Sequence, residues 1–207
     1  MRVDPQVTKA KFARQVEILK AGRMDLQRMG CYLVRDEFPE VDILILPLRP
    51  LCLKFSAWVV TPEGLQTAMA NQKVFSMAGR PFGVRLGMDD YDIRPPSLTF
   101  CDPATWENAG ANTLPQAVIR NAEGQPQPVL VPGYPGVERP FLCVPSTREY
   151  HEHPQHSDDS WLLRREGHSL FDTIRTIWQT FCVNTAPEVH VPPPTPGWGF
   201  HPTEGGK

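Results

Sequence analysis

The spacing of apolar positions along the chain predicts its elements in order. Across residues 6–20, Phe12, Val16 and Leu19 fall at i, i+4 and i+7 with Lys and Arg between them. That is one face of an amphipathic helix, and Gly22 marks its end. Gly30 to Leu46 and Leu51 to Val60 are rich in Val, Ile, Leu, Tyr and Phe and are divided by Pro47 and Pro50, so they read as two strands. Thr61-Pro62-Glu63-Gly64 supplies turn residues after the second. A third strand fits Pro81 to Met88. After the polar turn Asp89 to Arg94 a fourth begins at Ser97-Leu98-Thr99-Phe100, its approach held extended by Pro95-Pro96.

Asp102 to Arg139 carries Pro, Gly, Asn and Gln with little periodicity and reads as a long irregular excursion, with a short strand at Val129 to Val131. Phe141 to Val144 is a short apolar run. Leu170, Ile174, Ile177, Trp178 and Phe181 then mark a helix that Ser169 is placed to cap. These elements predict an α+β domain over residues 1–184, with an N-terminal helix, a four-stranded antiparallel meander and a C-terminal helix. Residues 185–207 form a Pro/Gly-rich tail expected to be extended or disordered. The terminal Gly205-Gly206-Lys207 reads as linker.

Composition narrows the function classes. The 207 residues include 21 basic and 23 acidic side chains, a net charge of −2, with no long run of either sign. Nothing there attracts a nucleic-acid backbone or a membrane surface. No apolar run approaches the roughly 18–20 residues that cross a bilayer, and Met1 to Pro5 has no apolar signal core. The expectation is a soluble, cytoplasmic protein. Cys31, Cys52, Cys101, Cys143 and Cys182 include no C-x-x-C pair, and an odd count without an export signal argues against a disulfide framework.

Candidate chemistry concentrates between Cys143 and Trp161. Glu149, His151, Glu152, His153, His156, Asp158 and Asp159 all fall in this stretch. Thiolate and imidazole are donors that suit zinc, and His151 and His153 would point the same way on an extended strand. Cys143, Glu149, His151, His153 and His156 are therefore candidate metal ligands, with zinc as the candidate cofactor. A solvated polar loop is the bland alternative. A zincin motif fails, because Pro154 disfavours the required helix and His156 comes one residue too late. His151-Glu152-His153-Pro154 resembles the first half of the JAB/JAMM metalloprotease signature, H-x-H-P. Ser157, Asp158 and Asp159 lack the spacing of its second half.

The same residues support thiol chemistry, since neighbouring imidazoles or a helix N-terminus can make a cysteine an effective nucleophile. Cys143 is the first candidate. Cys101, directly after the fourth strand, competes with it, and for either the bland reading is a small buried hydrophobe. His168, His190 and His201 stand alone in the sequence.

The order of elements resembles the ubiquitin-conjugating enzyme fold. Tyr91-Asp92-Ile93-Arg94-Pro95-Pro96-Ser97-Leu98-Thr99-Phe100 is similar to that family's Tyr-Pro-x-x-Pro-Pro-x-Val-x-Phe segment, and Phe141-Leu142-Cys143-Val144 is similar to its active-site strand. Trp161 and the helix from Ser169 follow in the matching order. The Cys143 to Trp161 segment further resembles a bacterial family predicted to bind metal through Cys, Glu, His and His and found beside ubiquitin-like modifier genes in antiviral operons. Cys143 and Glu149 would be its Cys and Glu, with two of His151, His153 and His156 as its histidines. The conjugating family's His-Pro-Asn before the cysteine is absent, and a histidine or Gln155 would have to support the oxyanion.

The resemblance implies an enzyme that takes a ubiquitin-like modifier from an activating enzyme as a thioester on Cys143, needing no cofactor, and passes it to an amine. Glu149 with His151 or His153 would orient or deprotonate that amine. A non-catalytic zinc module acting as adaptor, and a JAB-like metallo-isopeptidase, are the alternatives.

Overall fold

The computed structural model describes residues 4–91, 93–133, 138–156, 158–184 and 188–191. Asp92, Ser157 and the chain beyond Val191, including His201 and Gly205-Gly206-Lys207, lie outside the described residues. The chain divides into two compact units, Met1–Arg49 with Ala78–Thr185 and Pro50–Met77 with Ala186–Lys207.

The first unit opens with helix α1 (Pro5–Ala21). Asp4 caps it by accepting the Gln6 N–H at 2.8 Å, and Pro5 at the first turn has no donor to leave unsatisfied. Phe12, Val16 and Leu19 are buried on its inner face, as their spacing predicts. A short helix α2 (Arg23–Arg28) leads to Gly30, whose φ of +79° turns the chain into the sheet. A Cβ there would lie 2.4 Å from the Leu46 carbonyl oxygen, so only glycine fits.

Strands β1 (Cys31–Glu37) and β2 (Glu40–Ile45) form a hairpin, where the sequence suggested one long strand. Phe38 and Pro39 make the turn between them. β5 (Phe82–Gly87) and β6 (Ser97–Cys101) complete a four-stranded antiparallel sheet in the order β1-β2-β5-β6. Between β2 and β5 the chain makes β3 (Leu48–Thr61) and β4 (Gly64–Ala78). The predicted strand Leu51 to Val60 is thus part of β3, outside the four-stranded sheet, and β4 had no counterpart in the reading because its Gln, Thr, Asn and Ala residues give no clear alternation.

The inner sheet face is continuous. Val41, Ile43, Ile45, Val84, Leu86, Leu98 and Phe100 are all at most 1% exposed. Phe82 and Phe100 meet Phe181 at ring separations of 4.7 and 5.5 Å, a contact that joins the sheet to the C-terminal helix. The outer face carries a polar row in register: Arg35 opposite Asp42, Asp42 opposite Arg85, and Arg85 opposite Thr99. Asp42 pairs with both guanidiniums at 2.9 Å.

The excursion after β6 contains β7 (Val118–Arg120), β8 (Pro126–Pro128) and β9 (Leu130–Val131). β9 pairs with β10 (Phe141–Leu142). Short helices α3 (Arg148–Glu152) and α4 (Trp161–Arg164) precede α5 (Leu170–Trp178), which continues into a π-helical turn at Gln179–Val183. Ser169 caps α5 with a reciprocal box to Asp172. The Leu170 N–H donates to the Gln15 side chain at 2.9 Å, fastening α5 to α1.

In the second unit β3 pairs with β4 and, in parallel, with β11 (Glu188–Val191), in the order β11-β3-β4. β11 is an extended segment within the predicted tail.

Candidate functional site

Cys143 follows directly on β10. Its backbone N–H donates to the Val129 carbonyl at 3.0 Å, which continues the β9–β10 pairing by one residue. The chain then folds back: the buried Thr147 hydroxyl reaches the Leu142 and Val144 carbonyls at 3.3 and 3.0 Å. Helix α3 begins after Thr147 and is held against the approach to β6 by the Arg148 N–H, which donates to the Pro96 carbonyl at 3.0 Å. A 3-10 turn, Pro154–His156, brings the chain back across the cysteine.

The result is a thiol–imidazole pair, Cys143 Sγ lying 3.1 Å from His156 Nε2. The thiol is half-buried, and burial raises its pKa above the usual range, so it is held as S–H beside a nitrogen able to take the proton. Tyr150 stacks on the imidazole, ring centroids 3.9 Å apart and planes within 17°. Its hydroxyl donates to Asp159 Oδ2 at 3.1 Å, fixing the ring. In the sequence His156 counts among the candidate metal ligands and the imidazoles near Cys143 without being singled out as the thiol's partner, and Tyr150 carries no signal because nothing in the sequence places it over that ring.

The other candidates are placed differently. Glu149 is 3% exposed and faces away from the thiol into a network of its own. Its oxygens accept from Ser97 Oγ at 2.6 Å, from the Leu98 N–H at 3.0 Å and from Arg139 at 2.9 Å. Arg139 also donates to Thr99 Oγ1 and Ser97 Oγ. His151 turns both ring nitrogens to backbone carbonyls, Asp159 at 2.7 Å and Pro145 at 2.8 Å. His153 lies beside His156, ring centroids 5.7 Å apart, and Gln155 is exposed on the same turn.

Cys101 is fully buried in β6, with its pKa raised chiefly by burial. Cys31 and Cys182 are buried too. The side chain of Cys52 lies outside the described residues. His168 stands beside Trp161 at a ring separation of 5.8 Å.

As a metal set these residues fit poorly. Cys143 and His156 share a point, while the Glu149 oxygens and the His151 nitrogens are engaged elsewhere. Among the described residues no group of three or more His, Cys, Asp or Glu is arranged to hold a metal ion. Among them, too, no helix is long and apolar enough to cross a membrane.

Comparison with known proteins selects the same segment. The model of the Y4jH-like family matches residues 133–180, a span that contains Cys143, Tyr150, His151, His156 and Trp161. Over 179 residues the chain is 27% identical to the "Uncharacterized protein y4jH" of Sinorhizobium fredii (strain NBRC 101917 / NGR234), covering 79% of this chain and 75% of that protein. The chain is therefore similar to a bacterial protein over most of its length.

Proposed function

We propose that the protein is a conjugating-type transferase that carries a ubiquitin-like modifier as a thioester on Cys143 and passes it to an amine. The observation that carries this reading is the pair formed by Cys143 Sγ and His156 Nε2 at 3.1 Å. Support comes also from its setting: an N-terminal helix, a four-stranded antiparallel sheet, the Pro95-Pro96 approach to β6, and α5 after Trp161.

In this reading the thiol gives its proton to His156, and Sγ attacks the carbonyl of the modifier's C terminus, itself held as a thioester on an activating enzyme. The new C–S bond forms as the old one breaks, and the activating enzyme's cysteine leaves as a thiolate that takes a proton from solvent. An incoming amine then attacks the Cys143 thioester, the amide forms, and Cys143 leaves as a thiol after recovering a proton from His156. The amine's surplus proton goes to solvent. His156 thus handles the thiol's proton, while the step expected of Glu149 with His151 or His153, orienting or deprotonating the amine, is not used here, and no metal enters the sequence.

The test is intact mass under non-reducing conditions after incubation with an activating enzyme, its modifier and ATP. The expected product is a reductant-sensitive adduct lost in Cys143→Ala. An unmodified chain carrying one zinc would overturn the reading in favour of the zinc-binding adaptor, and an adduct lost only in Cys101→Ala would move the nucleophile.

A further inference from the structure

His151 reaches the loop that follows each half of the pair. Nε2 faces the Pro145 carbonyl at 2.8 Å, two residues past Cys143, and Nδ1 faces the Asp159 carbonyl at 2.7 Å, three residues past His156. Both partners are backbone carbonyls, each within hydrogen-bond distance of one ring nitrogen, so one rigid ring spans the loop after the thiol and the loop after the imidazole. The Asp159 N–H in turn donates to the His156 carbonyl at 3.1 Å. Tyr150 and Trp161 flank the ring at centroid separations of 5.0 and 6.0 Å and leave it little freedom to tilt.

We infer that His151 is a positioning residue, a strut that sets the distance between Cys143 and His156. Its ring carries polar nitrogens on opposite sides of a rigid group, which is what a span between two carbonyls uses. The inference rests on the thiol–imidazole pair used in the proposed function, and its test needs no modifier.

The experiment is the rate of alkylation of Cys143 by iodoacetamide against pH, read by peptide mass, in the full chain and in His151→Leu, His156→Ala and the double variant. His156→Ala is expected to slow the reaction at neutral pH by at least about tenfold. His151→Leu should give the same altered pH curve, and the double variant should be no slower than His156→Ala alone. Additive losses in the double variant, a wild-type curve in folded His151→Leu, or no effect of His156→Ala would each overturn the strut. Should His151→Leu fail to fold, His151→Gln, which keeps a donor for one carbonyl only, decides by the same curve. Alkylation does not require thioester chemistry, so failure of the conjugating reading would appear separately, as absence of the adduct.

Discussion

The backbone N–H of Leu98 donates to Glu149 Oε2 at 3.0 Å, a bond between β6 and the first turn of α3. Ser97 and Arg139 complete the carboxylate's partners, so one buried side chain fastens the sheet, the helix and the loop that precedes β10. Glu149→Ala would leave a buried N–H unpaired and Arg139 without its counter-charge. The expected loss is about 2–4 kcal/mol, the lower part of the buried-pair range because Arg139 is partly exposed. Glu149→Gln keeps an acceptor and should lose about half as much. Urea unfolding measures both, and a Glu149→Ala protein of wild-type stability would refute the role.

Accessibility separates the cysteines. Cys31, Cys101 and Cys182 are buried while Cys143 is partly exposed. Under native conditions iodoacetamide should therefore modify Cys143 well before those three, and denaturation should abolish the order. Peptide mapping over time reads this directly. Equal early labelling of Cys101 would mean that β6 opens far more readily than its packing implies.

Burial, with a smaller contribution from Cys182 beside it, pushes the Cys31 thiol up to about 12. In the unfolded chain a cysteine ionises near about 8.5. Between those values the folded state keeps a proton that the unfolded state has lost. The stability linked to this thiol is thus fully present below about pH 8.5 and drains away as pH rises toward 12. The stability difference between wild type and Cys31→Ala should stay constant up to about pH 8 and change in the variant's favour above it. Urea titrations at several pH values follow the difference, and a constant offset through pH 10 would exclude Cys31 as a contributor.

What the sequence made legible follows from which signals are local. Phe12, Val16 and Leu19 repeat with the helical period, and Ser169 stands three residues before Asp172, so both helices are readable from residues within about two turns. The β1–β2 hairpin is marked in the sequence by Arg35-Asp36-Glu37-Phe38-Pro39-Glu40, a mostly polar break between two apolar runs that the single-strand reading of Gly30 to Leu46 passes over. At the site, the sequence brings Cys143, Glu149 and the three histidines together, but their roles depend on direction. α3 turns Glu149 toward β6, and the Pro154–His156 turn carries His156 back over the thiol. Arg139 gave no signal at all, since its partners Ser97 and Thr99 are some forty residues away in the chain.

The capping box of α5 offers a last prediction, on the element that carries the core contacts of Phe181. Ser169 Oγ accepts the Asp172 N–H at 3.1 Å, and Asp172 Oδ2 accepts the Ser169 N–H at 3.3 Å and its hydroxyl at 2.7 Å. Ser169→Ala removes the acceptor for one helix-end donor and the hydroxyl that orients the carboxylate, at a cost of about 1 kcal/mol. For a chain of this size that is a drop in Tm of about 2–4 °C. Ser169→Asp keeps an acceptor at the cap but sets a second carboxylate beside Asp172, so it should recover only part of the loss. If Ser169→Ala melts with the wild type, the Leu170–Gln15 bond and the packing of Ile174 and Ile177 alone would be sufficient to start the helix where it starts.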